Sequence, residues 1–232
     1  MTTIHFDAVS HSYGDRRVLA DINLTLTEHS IGIIGANGSG KSTLARMING
    51  LVEPTSGTVT VDGVNVSRHG REVRKKVGFV FTDADTQIVM PTVAEDVAFS
   101  LRRSGLSKSE IADKVQATLR HMGLDEFPDH PAHLLSGGQK QMLALAAVLV
   151  RQPQIVIADE PTTLLDLRNA RIISDMIQSL PQQVVVVTHQ LDLLTSFDRI
   201  VVIDGGRVVY DAAPSHAIAF YRTLVDEGLR QS

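Results

Sequence analysis

The residues of this chain that could do chemistry lie in three short runs. Gly35-Ala36-Asn37-Gly38-Ser39-Gly40-Lys41-Ser42-Thr43 sets three glycines ahead of a lysine and two hydroxyls, in the spacing G-x-x-x-x-G-K-S. Gly35, Gly38 and Gly40 can reach backbone conformations closed to residues with a Cβ, so successive N–H groups can converge on one anion. A helix opening at Lys41 would add the positive end of its dipole and an ammonium charge. That combination cradles the phosphates of a nucleotide such as ATP, with Lys41 toward the β- and γ-phosphates and Ser42 toward Mg²⁺. The second run, Ile155-Val156-Ile157-Ala158-Asp159-Glu160, is an apolar strand ending in two carboxylates. Asp159 can hold Mg²⁺ there, directly or through water. Glu160 points elsewhere because side chains alternate along a strand, and it is the candidate general base for an attacking water. The third, Leu135-Ser136-Gly137-Gly138-Gln139, is a glycine-rich turn opening a helix, again an anion site. Taken singly, the three also read as a βα turn with a surface lysine, a solvated acid pair and a plain helix N-cap.

These groups need elements to hold them. The alternating segments Ile4-His5-Phe6 and Ile22-Asn23-Leu24-Thr25-Leu26 predict an antiparallel sheet at the start of the chain. Ile31-Gly32-Ile33-Ile34 is a buried strand feeding the glycine loop, and Leu44, Met47 and Ile48 make one face of the helix that follows it. Short strands are predicted at Val59 to Val61, Val77 to Phe81, Ile155 to Ala158 and Val184 to Thr188, with a hairpin over Arg199 to Tyr210. Between Thr92 and Val150 the pattern turns helical. Ile111, Val115 and Leu119 recur four apart, and Ser107 with Glu110 makes a capping box. The fold class is therefore α/β: one domain, 1–232, with an N-terminal antiparallel sheet, a catalytic core over 1–82 and 151–232, and a helical insert over 83–150.

Size and composition bound the function. The chain's 232 residues, 43% hydrophobic, suit one well-packed domain. With 22 basic and 26 acidic residues and no long basic stripe, a nucleic-acid groove is not expected. The absence of cysteine excludes disulfides and thiolate chemistry and fits a reducing compartment. No apolar run has membrane-spanning length, and the start of the chain lacks a signal-peptide pattern. A cytoplasmic protein that meets a membrane through a partner, peripheral on its inner face, is the expectation.

The three runs in this order resemble the ATP-binding cassette (ABC) family over nearly the whole chain: a P-loop core with an antiparallel β subdomain and an inserted helical one. The resemblance implies ATP hydrolysis with Mg²⁺. It also implies a head-to-tail pair of cassettes, homodimer or heterodimer, in which Leu135, Ser136, Gly137, Gly138 and Gln139 serve the partner's nucleotide. By the same resemblance His189 senses the γ-phosphate, Asp166 belongs to a loop communicating across the dimer, and Tyr13 stacks on adenine. The family's usual glutamine after the Val77 to Phe81 strand is here Thr82, whose shorter side chain puts a metal contact from that loop in doubt.

The segment Asp83 to Phe99, with Gln87-Ile88-Val89-Met90-Pro91-Thr92-Val93-Ala94-Glu95-Asp96-Val97-Ala98-Phe99, resembles the ATPase subunits of energy-coupling factor importers, and most of all the biotin-type module. There it lines the groove for a transmembrane coupling subunit, which works with a substrate-binding membrane subunit. Asp83, Asp85, Glu95 and Asp96, with Gln87, are thus candidate docking residues, a concentration of negative charge that would steer basic coupling helices. A cobalt, nickel or conventional ABC transporter ATPase and a soluble regulatory ABC ATPase are the alternatives; the chain has neither the coiled-coil insertions nor the tandem cassettes of repair and translation types.

Overall fold

Alternation and β-branching set the architecture. The computed structural model describes residues 2–231. Strands β1 (Ile4–Tyr13) and β2 (Arg16–Leu26) form a long hairpin. β3 (Ser30–Ile34) follows, then α1 (Lys41–Ile48), β4 (Ser56–Val61), β5 (Val64–Asn65), α2 (Val66–Lys76) and β6 (Val77–Val80). Next come α3 (Val93–Phe99), α4 (Lys108–His121) and α5 (Gly137–Leu149), then β7 (Ile155–Asp159), α6 (Leu167–Gln178) and β8 (Gln183–Val187). The chain ends with β9 (Arg199–Asp204), β10 (Arg207–Ala212) and α7 (Pro214–Gln231).

Two sheets result. One is antiparallel, in the order β2-β1-β4-β5. The other has the order β10-β9-β3-β8-β7-β6; its five inner and far strands run parallel and β10 pairs antiparallel at the edge. Successive side chains of the parallel strands enter opposite cores, as a period of two requires. Ile155 and Ile157 join Ile31, Ile33, Leu44, Met47 and Ile48 on one face, whereas Val156 and Ala158 join Ile34, Leu143 and Leu145 on the other. Burial on both faces explains why these strands read as continuous apolar runs. The order places the carboxyl ends of β3, β8, β7 and β6 side by side, the edge where open parallel sheets bind ligands.

The capping box expected at α4 is present, with Ser107 Oγ accepting from the Glu110 amide and Glu110 Oε2 accepting from the Ser107 amide at 2.8 Å. One helix was not anticipated from the sequence. α2 buries only Val66 and Val73, ends in Arg74-Lys75-Lys76 and bends at His69, so it lacks the apolar stripe that announces a helix. Among the described residues, no helix is long and apolar enough to cross a membrane.

The parallel sheet is pinned at its lower edge by Asp198, which accepts from the Ser30 hydroxyl at 2.8 Å and the Ser30 amide at 2.9 Å. The Ser30 hydroxyl is the main cause holding the Asp198 carboxyl below its usual range. A depressed folded-state pKa stabilises above the unfolded value and is lost as pH falls through the folded one. Urea midpoints taken from about pH 6 to about pH 3 should therefore decline less in Asp198→Asn than in the wild type, and equal acid slopes would show that this pin does not couple to pH.

Candidate functional site

The phosphate-binding run sits where β3 hands the chain to α1. Gly40 takes the N-cap position in the left-handed region (φ 106°), where a Cβ would lie 2.7 Å from Leu19 Cδ2 and 2.9 Å from the Val18 carbonyl. At Gly35 (φ 152°) a Cβ would lie 2.0 Å from the Ile203 carbonyl. Both glycines are thus demanded by local geometry as well as by any ligand. Ala36, Asn37 and Gly38 form the exposed tip, while Gly35, Ser39, Gly40 and Lys41 are buried and Ser42 and Thr43 half-buried. Lys41 Nζ donates to the Gly35 and Ala36 carbonyls at 2.8 and 2.9 Å, folding its ammonium into the loop. Burial lowers the Lys41 pKa, opposed by the charges of Glu160 and Asp159. Ser39 Oγ is buried with no hydrogen-bond partner, an orphaned polar atom inside the cradle.

Asp159 ends β7 with its side chain 1% exposed. Its Oδ1 accepts from Ser42 Oγ at 2.7 Å and its Oδ2 pairs with Arg46 Nη2 at 3.1 Å. Ser42 and Arg46 are four apart on α1 and so share a face. Arg46 was not singled out from the sequence; the signal available was its i+4 spacing from Ser42, which acquires meaning only once β7 lies beside α1. The described residues contain no cluster of three or more His, Cys, Asp or Glu side chains that could cage a metal. A serine hydroxyl beside one carboxylate fits Mg²⁺, which takes most of its ligands from phosphates and water.

Glu160 diverges from Asp159 for a reason beyond strand alternation. Its φ is 51°, in the left-handed region, and its amide donates to the Val187 carbonyl at 2.8 Å. A non-glycine residue there costs on the order of 1 kcal/mol and is held by its surroundings. Its Oε2 accepts from Thr163 Oγ1 at 2.9 Å and lies 2.9 Å from His189 Nδ1. His189 follows β8 and is half exposed. The structure therefore places His189 on the carboxylate of Glu160.

Thr82, the candidate metal ligand after β6, donates its hydroxyl to the Asp159 backbone carbonyl at 2.8 Å, a bond that ties the ends of β6 and β7 together and uses the proton, not the oxygen lone pairs. Tyr13 ends β1, 53% exposed, with its ring edge-on to buried His11 at 4.5 Å between centroids.

The third run forms the start of α5. Ser136 is the N-cap, accepting from the Gln139 amide, while Gln139 Oε1 accepts from the Ser136 amide at 2.9 Å. Ser136 and Gly137 are exposed; Leu135 and Gly138 are buried. A Cβ at Gly138 would lie 2.5 Å from Asn169, so this glycine lets α5 approach α6. Asn169 in turn donates to Asp166 at 2.7 Å, and Asp166 caps α6 through the Asn169 amide at 2.9 Å. Its pKa is lowered chiefly by that amide. Among the described residues no hydrogen bond or ion pair links 135–139 to 35–43.

The docking residues behave differently from the expectation of a free acidic patch. Asp83 accepts from the Asp85 amide at 3.0 Å, Asp85 pairs with Lys140 at 2.7 Å, and Glu95 accepts from Thr92 Oγ1 at 2.8 Å. Asp96 is 3% exposed and accepts from the Val89 and Met90 amides at 2.8 and 3.0 Å, capping the turn before α3. Gln87 bridges the Phe81 amide and the Ala144 carbonyl at 3.1 and 3.3 Å. All five are spent on internal bonds. Of the five, Gln87 and Asp96 line a cleft of about 290 Å³, together with apolar Phe79, Val89, Phe99 and Val148 and the cations Arg74, Lys75 and Arg151. The cleft walls carry cations, and the one acid lining the cleft, Asp96, is held by two backbone amides, while Asp83, Asp85 and Glu95 are exposed.

Arg46→Met would leave the buried Asp159 carboxylate with Ser42 alone. Because Arg46 is 41% exposed, the expected loss of nucleotide-free stability is about 1 kcal/mol, less than for a fully buried pair. Urea denaturation would read it, with part of the loss recovered in Arg46→Lys; an unchanged midpoint would remove the pair's role.

Comparison with known proteins agrees with this arrangement. The family model described as "ABC transporter" matches residues 19–163, more than half of the chain. The biotin transport ATP-binding protein BioM of Rhizobium etli is 43% identical over 95% of this chain and 98% of its own length. The energy-coupling factor transporter ATP-binding protein EcfA1 of Latilactobacillus sakei is 38% identical over 92% of this chain and 79% of its own. The structure of CbiO1 from Clostridium perfringens, part of the ABC transporter complex CbiONQ, superposes with a TM-score of 0.83 at 32% identity, covering 98% of this chain and 94% of that one. This chain belongs to the ABC transporter family and is an ATP-binding, ATP-hydrolysing subunit.

Proposed function

We propose that the chain powers an energy-coupling factor importer for biotin, on the cytoplasmic face of the membrane, through a transmembrane coupling subunit and a substrate-binding membrane subunit. The observation that carries this is the segment Gln87 to Phe99, which resembles those importers and borders the cleft beside α3 and α5. Similarity to BioM supports the solute. No residue of the ATPase would touch that solute.

In this reading the loop 35–43 holds the triphosphate of ATP and Tyr13 meets the base. Ser42 and Asp159 would hold Mg²⁺, which would supply positive charge against the phosphates. Lys41 exchanges the Gly35 and Ala36 carbonyls for phosphate oxygens. Glu160 orients water and takes its proton, with His189 and Thr163 fixing the carboxylate. Ser136 to Gln139 complete the site of a second copy, because each chain has both glycine-lined anion surfaces and, among the described residues, no hydrogen bond or ion pair joining them. Asp166, packed by way of Asn169 against the start of α5, adjoins that surface. The moving parts are the core, 1–82 with 151–232, and the helical lobe 83–150.

Cells lacking the chain should lose radiolabelled biotin uptake and regain it with the wild type but not with Glu160→Gln. Retained biotin uptake with loss of cobalt or nickel uptake would transfer the reading to a metal importer. Loss of no uptake would favour a regulatory ATPase. Docking has its own test. Phe99 is 41% exposed on the cleft wall, so Phe99→Asp should lower recovery of the membrane subunits about ten-fold with ATP binding unchanged. Equal recovery would place the coupling surface elsewhere.

A further inference from the structure

We propose that Arg16 is a nucleotide-binding residue whose guanidinium holds the polyphosphate of ATP from the solvent side of the glycine loop. The inference rests on the reading that 35–43 binds the phosphates. It begins from strand register. Tyr13 and Arg16 close the β1–β2 hairpin as a directly opposed pair, around the turn at Gly14-Asp15. Opposed residues share one face of a sheet with Cβ atoms about 5 Å apart. Arg17 pairs with Ser12, one register step on, and so projects from the other face. Of the two adjacent arginines, Arg16 is the one on the Tyr13 side.

The guanidinium lies over the loop. Arg16 Nη2 is 3.5 Å from where a Cβ at Gly38 would stand, and Gly38 belongs to the exposed tip of the cradle. The other cations at the site are engaged: Lys41 on the Gly35 and Ala36 carbonyls, Arg46 on Asp159. Arg16 makes no ion pair or side-chain hydrogen bond with any described residue. An unpaired planar fork at the rim of an anion cradle matches phosphate oxygens bidentately. Arg16 thus adjoins Tyr13 through strand register and the glycine loop through its guanidinium beside Gly38. Exposure lets it swing onto a ligand with no buried bond to break.

The test is equilibrium binding of ATP, tripolyphosphate and adenosine to the purified full chain, for the wild type, Arg16→Ala, Arg16→Lys and Lys41→Ala, each checked for an unchanged melting curve. A charge-assisted bidentate contact predicts about ten-fold weaker ATP and tripolyphosphate binding in Arg16→Ala, with adenosine unaffected. Arg16→Lys should recover part of that loss, and the salt dependence of ATP binding should be shallower in Arg16→Ala. Wild-type affinity for ATP in Arg16→Ala would overturn the proposal. So would parallel losses for ATP and adenosine, which would mark a structural role for the hairpin tip. If Lys41→Ala bound tripolyphosphate normally, the loop reading would fail, and the Arg16 result would separate that failure from its own.

Discussion

Asp159 is a carboxylate almost wholly removed from water, and the site is built around satisfying it. An isolated buried carboxylate costs several kcal/mol, so its two oxygens and its neighbours must be paired. Ser42 and Arg46 meet both oxygens from one face of α1, which sets how that helix lies against β7. The Asp159 carbonyl accepts from Thr82, which fixes the end of β6, and the next residue, Glu160, donates its amide to β8. Three strand ends and the helix carrying the phosphate loop thus converge on two consecutive acids. The strained φ of Glu160 follows from the same constraint, because its amide must reach Val187 while its side chain turns toward Thr163 and His189.

Legibility in the sequence tracked how local each feature is. The glycine loop, the acid pair and the signature turn each lie within ten consecutive residues, and the elements around them follow from alternation and helical period. Roles set by packing were not readable. Arg46 reads as an ordinary helix cation until β7 is placed, and Arg16 reads as a turn residue until its register with Tyr13 and its approach to Gly38 are known. For the acids of 83–96, sequence shows the charge but not the partners: Lys140 for Asp85, Thr92 for Glu95, and the Val89 and Met90 amides for Asp96. Thr82 was noticed as a departure, yet its partner, a backbone carbonyl of another strand, leaves no trace in the sequence.

The cleft and the site are joined by a short run of bonds. Phe81 is clamped on both sides of its peptide: its amide donates to Gln87, and its carbonyl accepts from Gln141 at 3.3 Å. Gln87, which lines the cleft, also donates to the Ala144 carbonyl of α5, the helix opened by Ser136. One residue past Phe81, Thr82 bonds to the backbone of Asp159. The cleft wall is thus connected to the acid pair through one peptide and two side-chain amides, and to the Ser136 turn through one helix. Contiguity of this kind transmits a signal only if it has two arrangements for ligands to bias. In this structure Phe81 is held by two side-chain amides, and Thr82 by one hydroxyl bond of about 1 kcal/mol to a neutral backbone carbonyl, so the run is one arrangement in which the end nearest the nucleotide site has a single bond.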